Sequence, residues 1–223
     1  MRAFTRGRKK IAVTRAKSLR DLFASCRVII LAVKPMDLDS VLADCGRFAS
    51  RRHLLVSAAA GYPLKKLSRR LRRAKVACAM PNVNALAGKS FTALCFGKKW
   101  ANAERRVVTG IFSAVGETVE LRGKDLDAFM HASACGPAIM AYLAQALERS
   151  FASLGLKQGL ARKTVLSLLK GSAEAMETGR LSADGLMGLV KTKGGFTERL
   201  LKALEAGRVS ERVARAYKEG AGR

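Results

Sequence analysis

The residues best suited to chemistry lie late in the chain, in Lys193-Gly194-Gly195-Phe196-Thr197. Two glycines there precede a stretch with helical periodicity, Thr197 to Ala206, in which Leu200, Leu201 and Leu204 share a stripe. A helix beginning after glycines presents free backbone N–H groups and the positive end of its dipole, and such a terminus can hold a carboxylate. Lys191 and Lys193 flank it. The plainer reading is an ordinary helix start, with Thr197 as cap and the glycines as hinge. A second set of candidates sits where apolar runs end: Ala32-Val33-Lys34-Pro35, Ser57-Ala58-Ala59-Ala60-Gly61 and Met80-Pro81-Asn82. Small side chains at Ala58, Ala59 and Ala60 would let the backbone approach a flat ring or a ribose, and Lys34 could meet a phosphate. Tight helix–sheet packing explains the same alanines equally well. A third is Ser133-Ala134-Cys135-Gly136-Pro137, which is expected to break a helical stretch, because Pro137 lacks an N–H and Gly136 permits unusual dihedrals. Cys135 has no evident basic partner, so a nucleophilic role is given little weight.

The elements that must position these residues follow from the apolar pattern. Lys9 to Thr14 reads as a short strand and Ser18 to Ala24 as a helical turn or two. Arg27 to Pro35, His53 to Ala60 and Lys75 to Met80 are β-branched or aliphatic runs ended by Pro or Gly, as in strands buried on both faces. Asp37 to Cys45, capped by its acid, and Leu64 to Arg73 read as the helices between them. Phe91 to Phe96 and Thr118 to Leu121 are later strands around a helix over Ala103 to Val115. This alternation argues for βαβ units and a parallel sheet. From Leu126 onward only helices are expected, over Ala138 to Leu154, Leu160 to Met176, Thr197 to Ala206 and Ser210 to Tyr217. The expected fold class is therefore α/β, a partial Rossmann-like parallel sheet, followed by an all-α helical domain. The boundary is placed near Arg122-Gly123, giving domains 1–122 and 123–223.

Composition narrows the function classes. Five cysteines without a Cys-x-x-Cys pair argue against a disulfide framework, and two histidines leave no ligand set for zinc, so no metal site is expected. No apolar run approaches the ~20 residues that span a bilayer, and no secretory signal opens the chain, so a cytoplasmic protein without a membrane partner is expected. The net charge of +25 and the basic run Lys65, Lys66, Arg69, Arg70, Arg72 and Arg73 are the footprint a nucleic-acid-binding protein would show. The basic helix carries no aromatic for base stacking, so a solvated surface helix is preferred and nucleic acid ranks second.

Taken in order, Ala32–Pro35, Ser57–Gly61, Met80–Asn82, Ser133–Ala138 and Lys193–Thr197 resemble the motifs of the pyrroline-5-carboxylate reductases over nearly the whole chain. The resemblance implies NADPH- or NADH-dependent reduction of 1-pyrroline-5-carboxylate to L-proline. It implies cofactor contacts from Ala32, Val33, Lys34, Pro35, Ala58, Ala59, Ala60, Met80, Asn82, Gly136 and Pro137. It implies substrate contacts from Gly194, Gly195, Phe196, Thr197 and Ser133, with Thr197 hydrogen-bonding the ring nitrogen as the catalytic residue. It further implies a homodimer or larger homo-oligomer, with the carboxylate loop completed across interleaved helical domains. Three departures stand out: Ala134-Cys135 replaces a Gly-Ser pair, with one hydroxyl lost; Val83-Asn84 replaces Thr-Pro; and Thr192-Lys193 replaces Ser-Pro. The family opens with a strand, a Gly-x-Gly-x-x-Gly loop and a helix, and this sequence has no such loop. The expectation is a reductase lacking at least one βαβ start, binding the dinucleotide poorly and leaving the Val28 strand as an apolar edge. A non-catalytic dimer partner of a complete reductase is the alternative reading.

Overall fold

A computed structural model describes residues 2–3, 14–179 and 181–222. The chain divides into two compact units at Pro137/Ala138. The expected strand over Lys9 to Val13 lies outside the described residues. The residues after it, Thr14–Arg15 (β2), pair in parallel with Arg2–Ala3 (β1).

The first unit is built on five strands: Val28–Leu31 (β3), Leu54–Ser57 (β4), Lys75–Met80 (β5), Ser90–Phe96 (β6) and Gly116–Glu120 (β7). They stand side by side in sequence order, and β3 forms one end of the sheet. Every neighbouring pair is parallel except β5–β6, where Met80 faces Ala93 and Ala77 faces Phe96. Only the 3-10 turn Val83–Ala87 (η1) joins β5 to β6, too short for the crossover that a parallel pair requires.

Side chains alternate between the two faces, as the pleat demands. On the first face Leu55, Val76, Cys78, Met80, Ala93 and Cys95 meet the helices Leu19–Ser25 (α1), Pro35–Gly46 (α2) and Leu64–Arg70 (α3), together with the start of Lys124–Ser153 (α5). On the second face Leu54, Val56, Ala77, Ala79, Leu94 and Phe96 meet Val108 and Phe112 of Asn102–Ser113 (α4). At the sheet's end Ile30 of β3 is 41% exposed, the apolar edge expected there.

The caps are set locally. Ser18 accepts the Asp21 N–H at 3.1 Å and starts α1. The helix α2 does not start on Asp37: Lys34 is its cap and Pro35 its first residue, a place where a missing N–H costs nothing. Asp37 lies inside the first turn, where its charge suits the dipole. Asp39 of α2 accepts from Tyr62 Oη at 2.7 Å and Lys66 Nζ at 2.9 Å, tying α2 to α3.

Glu104 joins three elements. Its carboxylate accepts from Lys75 Nζ at 2.6 and 2.7 Å, from Arg27 at 3.0 Å and from the Ala101 N–H at 3.0 Å, while only 11% exposed. The Lys75 hydrogen bond first, then that of Ala101, holds its carboxyl below the usual range. Glu104→Ala is expected to lower stability by about 2 kcal/mol in urea unfolding, with the m-value unchanged. A carboxyl depressed in the folded state stabilises fully above the pH at which the unfolded carboxyl titrates. The contribution is lost as pH falls through the folded value. Glu104→Gln should therefore flatten the acid limb of the stability profile; an unchanged acid limb would count against this assignment.

The second unit contains the remainder of α5 with Gln158–Thr178 (α6), Ala183–Val190 (α7), Phe196–Ala206 (α8) and Val209–Gly220 (α9). Its buried residues among those described are only Ala144, Ala161 and Val165, whereas Leu147, Leu160, Leu166, Leu168, Leu200 and Leu204 are exposed. Two sequence expectations change here. The helix α5 runs unbroken through Ser133–Pro137, because one proline removes a single i→i−4 bond and the flanking turns carry the helix across it. The helix α7 was not anticipated; Ser182 caps it by accepting the Gly185 N–H at 3.0 Å.

Candidate functional site

In the first unit the candidate residues gather at the carboxyl ends of three adjacent parallel strands. Ala32 and Val33 follow β3, and exposed Lys34 and Pro35 open α2. Ala58 to Ala60 follow β4; the Ala58 N–H donates to the Leu31 carbonyl at 3.0 Å, so the two strand ends are held together. Ala59 is buried while Ala60 is exposed. Gly61 turns the chain at φ +70°, a region glycine adopts without strain, and its N–H donates to Met130 Sδ at 3.3 Å. Met80 and Asn82 end β5.

Asn82 is already committed within the chain. Its Oδ1 accepts the Asn84 N–H at 3.1 Å and caps η1, while its Nδ2 donates to Ser133 Oγ at 3.0 Å. Ser133 Oγ in turn donates to the Phe91 carbonyl at 3.4 Å. These bonds fix the first half of α5 over the strand ends and place Ser133 beside Asn82, with Gly136 and Pro137 one turn further along. Met130 was missed from sequence. It lies one turn before Ser133 on α5, and the stripe Leu126, Met130, Ser133, Pro137 has the helical spacing that would have pointed to it.

In the second unit the Gly194 loop is latched from both sides. The Gly194 N–H donates to Glu198 Oε2 at 2.6 Å, and Arg199 donates to the Gly194 carbonyl at 2.6 Å. The Gly194 hydrogen bond, followed by Lys202, holds the Glu198 carboxyl below its usual range. Gly194 has φ +70°. Gly195, rather than Thr197, is the cap of α8, and Phe196 is the first helical residue. The N–H groups of Phe196, Thr197 and Glu198 and the Thr197 hydroxyl find no acceptor or donor among the described residues. Phe196 is 63% exposed. This terminus presents three convergent N–H donors and one hydroxyl on an eleven-residue helix, which suits an anion with a hydrogen-bonding neighbour. Glu198 and Arg199, which shape the loop, were not singled out in the sequence.

Among the described residues no group of His, Cys, Asp and Glu is placed to hold a metal, and no helix is long and apolar enough to cross a membrane.

A mainly parallel sheet with a crevice at its strand ends, followed by a helical region, is the architecture of the two-domain dinucleotide-binding proteins. The chain belongs to the pyrroline-5-carboxylate reductase family. Residues 123–223 match the family model "Pyrroline-5-carboxylate reductase dimerisation". The chain is 33% identical over 170 residues to the pyrroline-5-carboxylate reductase of Synechocystis, covering 76% of this chain and 63% of that protein. It is 30% identical to that of Mycobacterium leprae, covering 85% of this chain and 72% of that protein. The crystal structure of a Plasmodium falciparum pyrroline carboxylate reductase with NADP bound superposes at TM-score 0.91 with 26% identity, covering 99% of this chain and 84% of that one. A Coxiella burnetii pyrroline-5-carboxylate reductase superposes at 0.85 with 25% identity, covering 94% and 79%. The chain thus spans somewhat under two thirds of the length of its Synechocystis relative.

Proposed function

We propose that the chain works as a pyrroline-5-carboxylate reductase, reducing 1-pyrroline-5-carboxylate to L-proline at the expense of NADPH or NADH. The observation that carries this reading is the start of α8, with three N–H groups and the Thr197 hydroxyl free of partners in a chain of this family. The substrate's carboxylate would sit on the N–H groups of Phe196 to Glu198, since the Gly195 N–H already donates to the Thr192 carbonyl at 2.9 Å, and the Phe196 ring would cover the substrate. The Thr197 hydroxyl would donate to the ring nitrogen, orienting the C=N bond.

The strand ends suit the nicotinamide end of a dinucleotide. Ala58, Ala59 and Ala60 are small, and open space surrounds Gly61. Ala32, Val33 and Pro35 would form one wall, Met80 and Asn82 another, with Gly136 and Pro137 beyond. Lys34 has no carboxylate partner among the described residues and would face a phosphate. When bound, the cofactor supplies a hydride to the C=N carbon. No Gly-x-Gly-x-x-Gly loop for the diphosphate occurs in these 223 residues.

Residues 1–122 are assigned to the cofactor and 123–223 to substrate and self-association. The exposed leucines of α6 and α8 support a homodimer, since a helical unit with three buried side chains leaves its apolar faces for a second copy. The test is NADPH and NADH oxidation by the purified chain with 1-pyrroline-5-carboxylate, read beside light scattering. Substrate-dependent turnover from a dimer is the expected result. A folded dimer that binds L-proline but never turns over would overturn the enzymatic reading in favour of a non-catalytic partner.

A further inference from the structure

Between α3 and the first turns of α5 lies a cavity of about 1110 Å³. That is just above the usual range for small-molecule sites, far more than a five-membered ring needs. It meets the candidate reductase residues at Gly61, Met80 and Met130 and otherwise runs toward the opposite end of β5.

Its apolar wall is made by Leu64 of α3, by Ala74 and by Leu126 of α5, which are half-buried over a floor of Val76, Cys78 and Cys95 that is itself almost fully buried. Burial pushes the Cys78 thiol up to about 12, so this floor carries no charge at neutral pH. Its rim is basic. Lys65 stands on α3 and Arg72 on the turn after it, and Lys98 and Lys99 on the turn between β6 and α4. None of these four has a carboxylate partner among the described residues. Arg105 and Arg122 also line the cavity, but Glu120 binds both. Asp127 is the one acid on the lining.

The turn holding Lys98 and Lys99 is constrained. Lys99 has φ +69°, a conformation seldom taken by a residue with a side chain. Beside it Gly97 passes so close to β5 that an added Cβ would lie 2.8 Å from the Val76 carbonyl. Trp100 then anchors the turn by donating Nε1–H to that carbonyl at 2.9 Å. A backbone held this firmly fixes where the two exposed lysine side chains leave the chain beside the cavity mouth.

We propose that this cavity is a second binding site, for an amphipathic anion: an acyl or aryl body against Leu64, Ala74 and Leu126 and a phosphate or carboxylate head among Arg72, Lys98 and Lys99. An uncharged apolar molecule would leave the cations unpaired, and a bare anion would leave the apolar wall wet.

Trp100 is the only tryptophan in the sequence and anchors the Lys98–Lys99 turn on the cavity lining, with its ring packed against Phe96, so its emission follows changes at that turn. The probe is octyl phosphate below its micellar concentration, titrated into the full chain. A saturable change in Trp100 emission is expected, with octanol and inorganic phosphate each needing at least about tenfold more. The double variant Arg72→Ser/Lys98→Ser should weaken octyl phosphate about tenfold or more, and both positions are exposed, so folding is preserved. Ser68→Phe, an exposed position on the lining, should block it in wild-type background. No saturable change, or an equal response to octanol with the double variant unaltered, overturns the proposal.

Discussion

Replacing Gly116 by alanine is expected to destabilise the first unit by about 3 kcal/mol or more, or to prevent it from folding. Gly116 opens β7 at φ +144°, and it pairs with Ser90 of β6. A Cβ there would lie 2.0 Å from the Ser90 carbonyl oxygen and 2.4 Å from its nitrogen. Both obstacles are backbone, so no rotamer change can make room. Relief would need β7 to move away from β6 and give up the bond from the Ser90 N–H to the Val115 carbonyl, now 2.9 Å. Gly110 supplies the control. It lies inside α4 with open space around it, so Gly110→Ala should stabilise by about 0.5–1 kcal/mol through helix propensity alone. Urea midpoints moving in opposite directions for the two variants are the expected outcome. A Gly116→Ala protein as stable as the parent would mean that the β6–β7 edge is far looser than described.

The second large effect concerns turnover. Thr197→Val keeps the shape of the side chain and removes only its hydroxyl. Because that hydroxyl has no partner among the described residues, stability should be unchanged within about 0.5 kcal/mol. If the hydroxyl donates to the ring nitrogen of the substrate, kcat/KM should fall about a hundredfold. Thr197→Ser, which retains the donor, should recover most of it. Equal kcat/KM in the valine variant would remove Thr197 from the reaction while leaving the N–H groups of α8 as the carboxylate anchor. The affinity for L-proline reads that second contribution without turnover.

The sheet was legible because its strands are apolar on both faces. Val28–Leu31, Leu54–Ser57 and Lys75–Met80 stand out as unbroken aliphatic runs, and Pro or Gly marks their ends. Strand direction was not legible. Nothing in Ser90–Phe96 distinguishes an antiparallel neighbour from a parallel one; the short connection through η1 decides it. The helix α7 escaped because Ala183–Val190 contains two glycines and is held by its cap and by contacts with α6 rather than by propensity. The apparent break at Gly136-Pro137 misled in the opposite sense, since propensity pointed to an end where the long helix simply continues.

For the site, residue types indicated where a ring or a carboxylate would lie, but the commitments of those residues depend on partners far away in sequence. Asn82 looks like a free amide until Ser133 and the Asn84 N–H are seen to occupy it. Gly194 looks like a free donor until Glu198 takes its N–H. The Gly195 N–H is likewise taken by the Thr192 carbonyl, which leaves the free donors at Phe196, Thr197 and Glu198.

The one antiparallel pair also bears on how the sheet assembles. Met80 and Ala93 face each other across β5–β6, whereas Val28 and Leu54 across β3–β4 are about twice as far apart in sequence. Loop-closure entropy rises only with the logarithm of length, so this doubling amounts to about 0.6 kcal/mol. That is roughly a threefold head start for β5–β6, too small to impose an order of events. Loop length alone therefore leaves the five strands without an imposed order of assembly.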